Sequence, residues 1–246
     1  MKVVVLGATK GIGRAVARAL AERGDALFLL GRDPTELEKS ARDLTQRGGG
    51  KLSVAHAVCD LELPSGFDAA LAAADAALEG FDTVVVTAAL FATQDQLETD
   101  AELARRLLTA NFANTVIFCE RARARLLARG GGTLCVVSSV AGERGRKPIV
   151  LYGASKAGLS AYLEGLDHKF HAQGLRVVCV KPGFVKTAMT AGLSPPPFAG
   201  EPDRVARDIV RAIDRGTPVV YTPRIWALIM LVIRCLPRFV MRRIGF

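Results

Sequence analysis

Aromatic side chains are scarce, with 11 Phe, 3 Tyr and 1 Trp among 246 residues, and they are not interleaved with a basic groove. A base-stacking nucleic-acid surface is thereby excluded. Five cysteines (Cys59, Cys119, Cys135, Cys179, Cys235) are widely spaced, with no CxxC pair and no His cluster at metal-ligand spacing. This argues against a disulfide framework or a metal site and fits a reducing, cytoplasmic compartment. Long apolar runs are missing too, since no stretch reaches the roughly 20 residues that cross a bilayer. Val3 to Leu6, preceded only by Lys2, is too short for a signal peptide and leads straight into glycines. Acid is absent from residues 224–246, where Arg224, Arg234, Arg238, Arg242 and Arg243 supply more than half of the formal +9 charge. That concentration points to an anionic surface as a partner.

Half of the residues are apolar and 23% are charged, which excludes a disordered or fibrous chain. No repeat and no Ser-rich linker divides the sequence, so residues 1–246 are expected to form one domain. Short β-branched runs predict strands at Lys2–Leu6, Ala26–Leu30, Ser53–Cys59, Thr83–Thr87, Thr133–Ser138, Arg176–Val180 and Pro218–Tyr221. Their near-continuous hydrophobicity suits strands buried on both faces. Between the first two, Ile12, Val16, Ala19 and Leu20 mark one face of a helix that Gly24 ends. Asp33-Pro34-Thr35-Glu36 is a helix start, with Asp33 as cap and Glu36 reaching back, and Gly48-Gly49-Gly50 closes that helix. Further helices are expected at Ser65–Leu78, Asp95–Ala110, Phe112–Ala128, Tyr152–His171 and Asp203–Arg215. The alternation predicts an α/β fold, a doubly wound parallel sheet of about seven strands with helices on both faces.

Three motifs carry chemistry. Gly7-Ala8-Thr9-Lys10-Gly11-Ile12-Gly13 lies between a strand and a helix, where glycines let backbone approach a pyrophosphate and the helix N-terminus offers N–H donors. A plain strand-to-helix turn is the blander alternative. At the end of the second strand, where a carboxylate would bind the adenosine ribose, stand Gly31 and then Arg32, with Lys10 within reach. Two cations around a 2′-phosphate favour NADP(H) over NAD(H), unless both are merely solvated. Asp33 could serve as the acid, although its role as helix cap already accounts for it. Finally, Ser139 precedes Tyr152-Gly153-Ala154-Ser155-Lys156, in which Tyr152 and Lys156 share one helix face. A neighbouring ammonium favours phenolate, so Lys156 is expected to lower the Tyr152 pKa toward the range useful for acid–base work.

Together these motifs resemble the short-chain dehydrogenase/reductase family along almost the whole chain. Cys59-Asp60-Leu61 resembles the family's adenine contact, with Asp60 and Leu61 as the binding pair. Asn111 stands where the family has an asparagine, and Ser139 lies thirteen residues before Tyr152. Lys181-Pro182-Gly183-Phe184-Val185-Lys186-Thr187 resembles the turn beside the nicotinamide, assigning Pro182, Gly183, Val185 and Thr187 to the cofactor. The resemblance implies that Tyr152 exchanges the proton as hydride moves, Lys156 holds the nicotinamide ribose, Ser139 bonds the substrate oxygen and Asn111 anchors a relay water. One departure is Thr87-Ala88-Ala89-Leu90, where the family usually reads Asn-Asn-Ala-Gly; Ala88 keeps a place beside the cofactor. Asn114, one helical turn from Asn111, competes for its assignment. Ser138 is expected to point away from Ser139 by the strand period.

Residues 183–202 stand where the family places its substrate lid, and they are mostly apolar, with no Arg or Lys between Lys186 and Arg204. An apolar ketone or secondary alcohol, a lipid-linked one included, fits better than a small polyanion. Residues 224–246 form a basic apolar tail whose run Ile225–Ile233 is too short to span a membrane. It either lies in an anionic interface, peripheral to the inner membrane face, or packs over the pocket or a dimer contact. Trp226 reads equally as an interface anchor or a packed aromatic. The leading expectation is an NADP(H)-dependent oxidoreductase, as a homo-oligomer; the alternative is a non-catalytic NADP-binding regulator or membrane adaptor on the same fold.

Overall fold

The computed structural model describes residues 1–49 and 53–245. Seven parallel strands, β1 (Lys2–Leu6), β2 (Ala26–Gly31), β3 (Ala55–Val58), β4 (Thr83–Val86), β5 (Gly132–Val137), β6 (Leu175–Pro182) and β7 (Val219–Thr222), form one sheet. Their order is β3-β2-β1-β4-β5-β6-β7, so the chain reverses direction of travel between β1 and β4. Such a switch opens a crevice at the carboxyl ends of the strands.

Strand alternation explains the two cores. Val4, Leu6, Phe28, Leu30, Val84 and Val86 face helices α3 (Phe67–Leu78), α6 (Thr115–Ala128) and α7 (Val150–Phe170). Val3, Val5, Leu27, Leu29 and Val85 face α1 (Gly11–Arg23), α2 (Pro34–Arg47) and α8 (Pro202–Arg215). The middles of the inner strands are therefore nearly continuous apolar runs, because both faces are covered, with buried Thr83 and Thr133 near the strand starts.

Gly24, Asp33 and Pro34 act as expected at α1 and α2, whereas Glu36 does not reach back to the cap: its carboxylate accepts from Lys39 Nζ at 3.2 Å. Gly24 closes α1 in the left-handed region at φ 89°. The Asp33 carboxylate accepts from Glu36 N at 3.1 Å, with Pro34 in the first turn of α2. Gly50 lies outside the described residues. The strand expected over Ser53–Cys59 is confined to Ala55–Val58 at the sheet edge.

The segment after β4 departs from expectation. Instead of one helix over 95–110, α4 (Gln94–Thr99) stops at Asp100, whose side chain then accepts from Leu103 N at 2.9 Å and starts α5 (Ala101–Leu108). Asp100 prefers to cap rather than continue a helix. The join between the next two helices is a π-helical turn, Thr109–Asn114, in which the Thr115 hydroxyl takes the Ala110 carbonyl at 2.7 Å. The tail forms α9 (Ile225–Cys235) and α10 (Arg238–Arg243).

Candidate active site

A cavity of about 800 Å³ lies at the carboxyl ends of the strands. Every residue assigned above to the cofactor lines it: Gly7, Thr9, Lys10, Gly11, Ile12, Gly13, Arg32, Asp60, Leu61, Ala88, Tyr152, Lys156, Pro182, Gly183, Val185 and Thr187. Ser139 lines it as well.

The glycine turn is shaped by contact with the neighbouring strand. Gly7 has φ +92°, and a Cβ there would stand 2.6 Å from Ala88 N. At Gly13 a Cβ would collide with the Gly7 carbonyl and Thr87 Oγ1. Thr87 itself donates to the Leu6 carbonyl at 3.0 Å and contacts Gly7 O at 3.3 Å. The short hydroxyl that replaces a longer amide thus clamps the turn from beneath. Sequence reasoning saw only the missing amide, not this substitute.

At the adenosine end, Arg32 and Lys10 border the cavity with Asp60 and Glu62. Glu62 is engaged by Arg106 at 2.7 and 3.1 Å. The Arg106 hydrogen bond, opposed by desolvation and helped by the charges of Arg106 and Arg32, holds its carboxyl below the usual range. Asp60 accepts from Glu62 N at 2.9 Å, and Asp33 is committed to its helix cap.

Tyr152 and Lys156 project from α7 toward the turn that follows β5. The phenol ring meets Phe91 edge-on, with centroids 5.3 Å apart. Ser139 occupies the start of a single 3₁₀ turn and accepts from Ala141 N at 3.1 Å. Ser138 points the other way, donating to the Lys156 carbonyl at 3.0 Å and meeting Ser160 Oγ at 2.7 Å. Strand alternation thus separates the two serines as expected.

The electrostatic expectation for this pair is corrected. Burial pushes the Tyr152 phenol up to about 12, against the opposing effect of its hydrogen bond with Ser139. Burial also pulls the Lys156 ammonium down to about 8. Lys156 Nζ donates to the Val137 carbonyl at 3.1 Å and lies 5.8 Å from the Tyr152 ring centroid. Desolvation therefore sets the direction of the phenol, with the Ser139 hydrogen bond as the opposing effect.

Asn111 is fully buried in the π-helical turn and does not border the cavity. Its Oδ1 accepts from Leu90 N and its Nδ2 donates to Leu90 O, both at 2.7 Å. The side chain therefore fixes the loop after β4, and neither end of its amide is left for the relay water that the family resemblance implies. Asn114 does a parallel job for the loop after β3, donating to Leu61 O at 2.6 Å. The two asparagines are distinguished by the loop each one holds.

The remaining walls are Phe91, Val140, Pro148, Ile149, Phe184, Met189, Leu193, Pro196 and Trp226, with one cation, Arg146, among them. Arg146 escaped sequence reasoning because it lies before Tyr152, outside the lid. Trp226, from α9, lies against Gly183, where a Cβ would collide with the indole. Its Nε1 donates to Phe198 O at 3.4 Å. Behind it, Glu143 accepts from Lys181 at 2.6 Å and Tyr221 at 2.7 Å, with Arg234 at 3.7 Å. Burial would raise the Glu143 pKa, but these partners outweigh it and hold the carboxyl below its ordinary value.

The short chain dehydrogenase family profile matches residues 1–197. The chain belongs to the short-chain dehydrogenase/reductase family. Its relatives include an uncharacterized oxidoreductase of Mycobacterium tuberculosis, 34% identical over 98% of this chain and 96% of its own length. Another uncharacterized oxidoreductase, from Streptomyces coelicolor, is 34% identical over 98% of this chain and 95% of its own. Among solved structures, a short-chain type dehydrogenase/reductase from Mycobacterium ulcerans superposes with a TM-score of 0.80 at 22% identity, covering 89% of this chain and 86% of that one. A variant of actinorhodin polyketide ketoreductase with NADPH gives 0.80 at 22% identity, covering 89% and 94%. Both likenesses establish the dehydrogenase/reductase sheet and helix arrangement.

Proposed function

We propose that the protein transfers hydride between NADP(H) and an apolar ketone or secondary alcohol. The observation that carries this reading is the convergence of Ser139, Tyr152 and Lys156 on the wall of one cavity that also holds the whole glycine turn. Bound NADPH would supply the hydride. Lys156 would hold the nicotinamide ribose, while Ser139 would orient the substrate oxygen for the phenolic proton of Tyr152. A phenol that stays protonated suits donation to a carbonyl oxygen as it gains negative charge. Asn111 contributes by fixing Leu90 beside the cofactor.

NADP(H) is favoured because Arg32 and Lys10 border the adenosine end while Asp33 and Glu62 are engaged elsewhere. The NADPH-containing ketoreductase of similar fold agrees with this choice. An apolar substrate follows from the aliphatic and aromatic wall beyond Tyr152.

Nicotinamide fluorescence titration with NADPH and NADH tests the cofactor, and a panel of aliphatic ketones and alcohols of rising chain length tests the chemistry. NADPH should bind at least tenfold more tightly, with turnover rising with chain length. Equal binding contradicts the cofactor assignment. Tight NADPH binding with no turnover in either direction would instead favour a cofactor-binding regulator.

A further inference from the structure

Helix α9 has two apolar faces, only one of which is covered. Met230 and Ile233 are buried against Val140, with Tyr221, Ile229 and Met241 packed around them, and Trp226 lies on the same side as a wall of the cavity. At about 100° per residue, Ile225, Leu228, Leu231 and Val232 fall on the opposite side. Leu228 is 60% exposed and Val232 56%, and Phe239 on α10 adds another 60%. A core helix would not leave such a stripe in water.

The helix that carries the stripe also lines the cavity, through Trp226. Met189 and Leu193 both line the cavity and are exposed, which marks its opening. Phe198, 61% exposed, is tied to α9 through the Trp226 indole. The base of this segment is held by Gly200 N to Phe184 O at 2.7 Å and Lys186 to Glu201 at 2.6 Å. The lid segment is therefore attached to the same helix that carries the stripe.

The tail that carries the stripe is cationic. Among the described residues Arg224, Arg238, Arg242 and Arg243 form no ion pair, and Arg234 alone approaches an acid, Glu143. Residues 224–246 contain no acid at all. Contact between two copies through the stripe would bring two cationic tails together with nothing on either to neutralise them. An anionic lipid surface supplies both the apolar layer and the opposing charge. At about 1.5 Å per residue α9 reaches only about 17 Å, and no helix among the described residues is long and apolar enough to cross a membrane.

We propose that the exposed face of α9, with Phe239 and the lid tip, docks in the plane of an anionic phospholipid bilayer and seats the cavity mouth on its acyl layer. The substrate is then a carbonyl lipid entering between Trp226 and the lid without crossing water. This substrate assignment rests on the reductase reading above, whereas the docking itself does not.

The full chain should be sedimented with vesicles of phosphatidylcholine alone and of phosphatidylcholine with phosphatidylglycerol, at low and high salt. Binding is expected only to the anionic vesicles and should weaken with salt. The exposed double variant L228Q/V232Q should lose at least tenfold in partitioning, and R238Q/R242Q/R243Q on the order of a hundredfold, with NADPH binding unchanged in both. Trp226, the single tryptophan, reports on the mouth directly: vesicles with brominated acyl chains should quench it. Indifference to anionic vesicles at low salt overturns the proposal, as does binding without quenching of Trp226. A concentration-dependent dimer that L228Q/V232Q abolishes, with no vesicle binding, would assign the face to a second copy. Docking with quenching in a protein that turns over no carbonyl would refute the reductase reading and leave the docking surface standing.

Discussion

Lys156 should destabilise the fold it serves. The residue is 2% exposed, and burial moves its pKa from the ordinary 10.5 down to about 8. The folded state thus binds this proton more weakly than the unfolded chain does. The resulting destabilisation is complete below about pH 8, declines as pH rises and vanishes above about 10.5. At 1.36 kcal/mol for each tenfold difference in proton affinity, it amounts to about 3 kcal/mol at pH 7. Lys156→Met removes that cost but leaves the Val137 carbonyl without its 3.1 Å donor, a loss of about 1 kcal/mol. The variant should therefore be more stable by about 2 kcal/mol at pH 7, with little advantage left near pH 9.5. Urea unfolding of both proteins at the two pH values measures this, and the variant should be catalytically inert. A variant less stable at pH 7, with a difference that ignores pH, would refute the reasoning.

Two other substitutions probe the cofactor end. Arg32→Ala should weaken NADPH binding about tenfold or more and leave NADH binding nearly unchanged, since one charge-assisted bond to phosphate contributes roughly 1.5–3 kcal/mol; parallel fluorescence titrations decide it. Gly13→Ala forces a methyl group into the Gly7 carbonyl and Thr87 Oγ1, so it should cost about 1–3 kcal/mol in thermal or urea unfolding and impair binding of both cofactors.

Much of the sheet was legible because strands covered on both faces must be nearly continuous apolar runs. The Val3–Leu6 and Val84–Val86 runs show this directly. The Ser139, Tyr152 and Lys156 set was also legible, since one helix turn and one strand end suffice to bring it together. Three features were not. Thr87 supports Gly7 and Gly13 across the sheet, a contact that no local pattern encodes. Asn111 spends both ends of its amide on Leu90, which requires knowing how a π-helical turn faces a distant loop. The pKa of the Tyr152–Lys156 pair depends on how deeply each group is buried, and spacing alone overstated the ammonium's effect. The tail posed a choice between covering the pocket and facing a surface. In the structure one face of α9 packs on Val140 and puts Trp226 into the cavity wall, while the other remains exposed.

The central claim, that Tyr152 delivers the proton during hydride transfer, is tested most directly by comparing Tyr152→Phe with the parent in single-turnover oxidation of bound NADPH by a reducible apolar ketone. Loss of a positioned proton donor should slow the step on the order of 10² to 10⁴-fold while NADPH affinity stays near the parent's. A Phe variant that oxidises NADPH as fast as the parent would contradict the account.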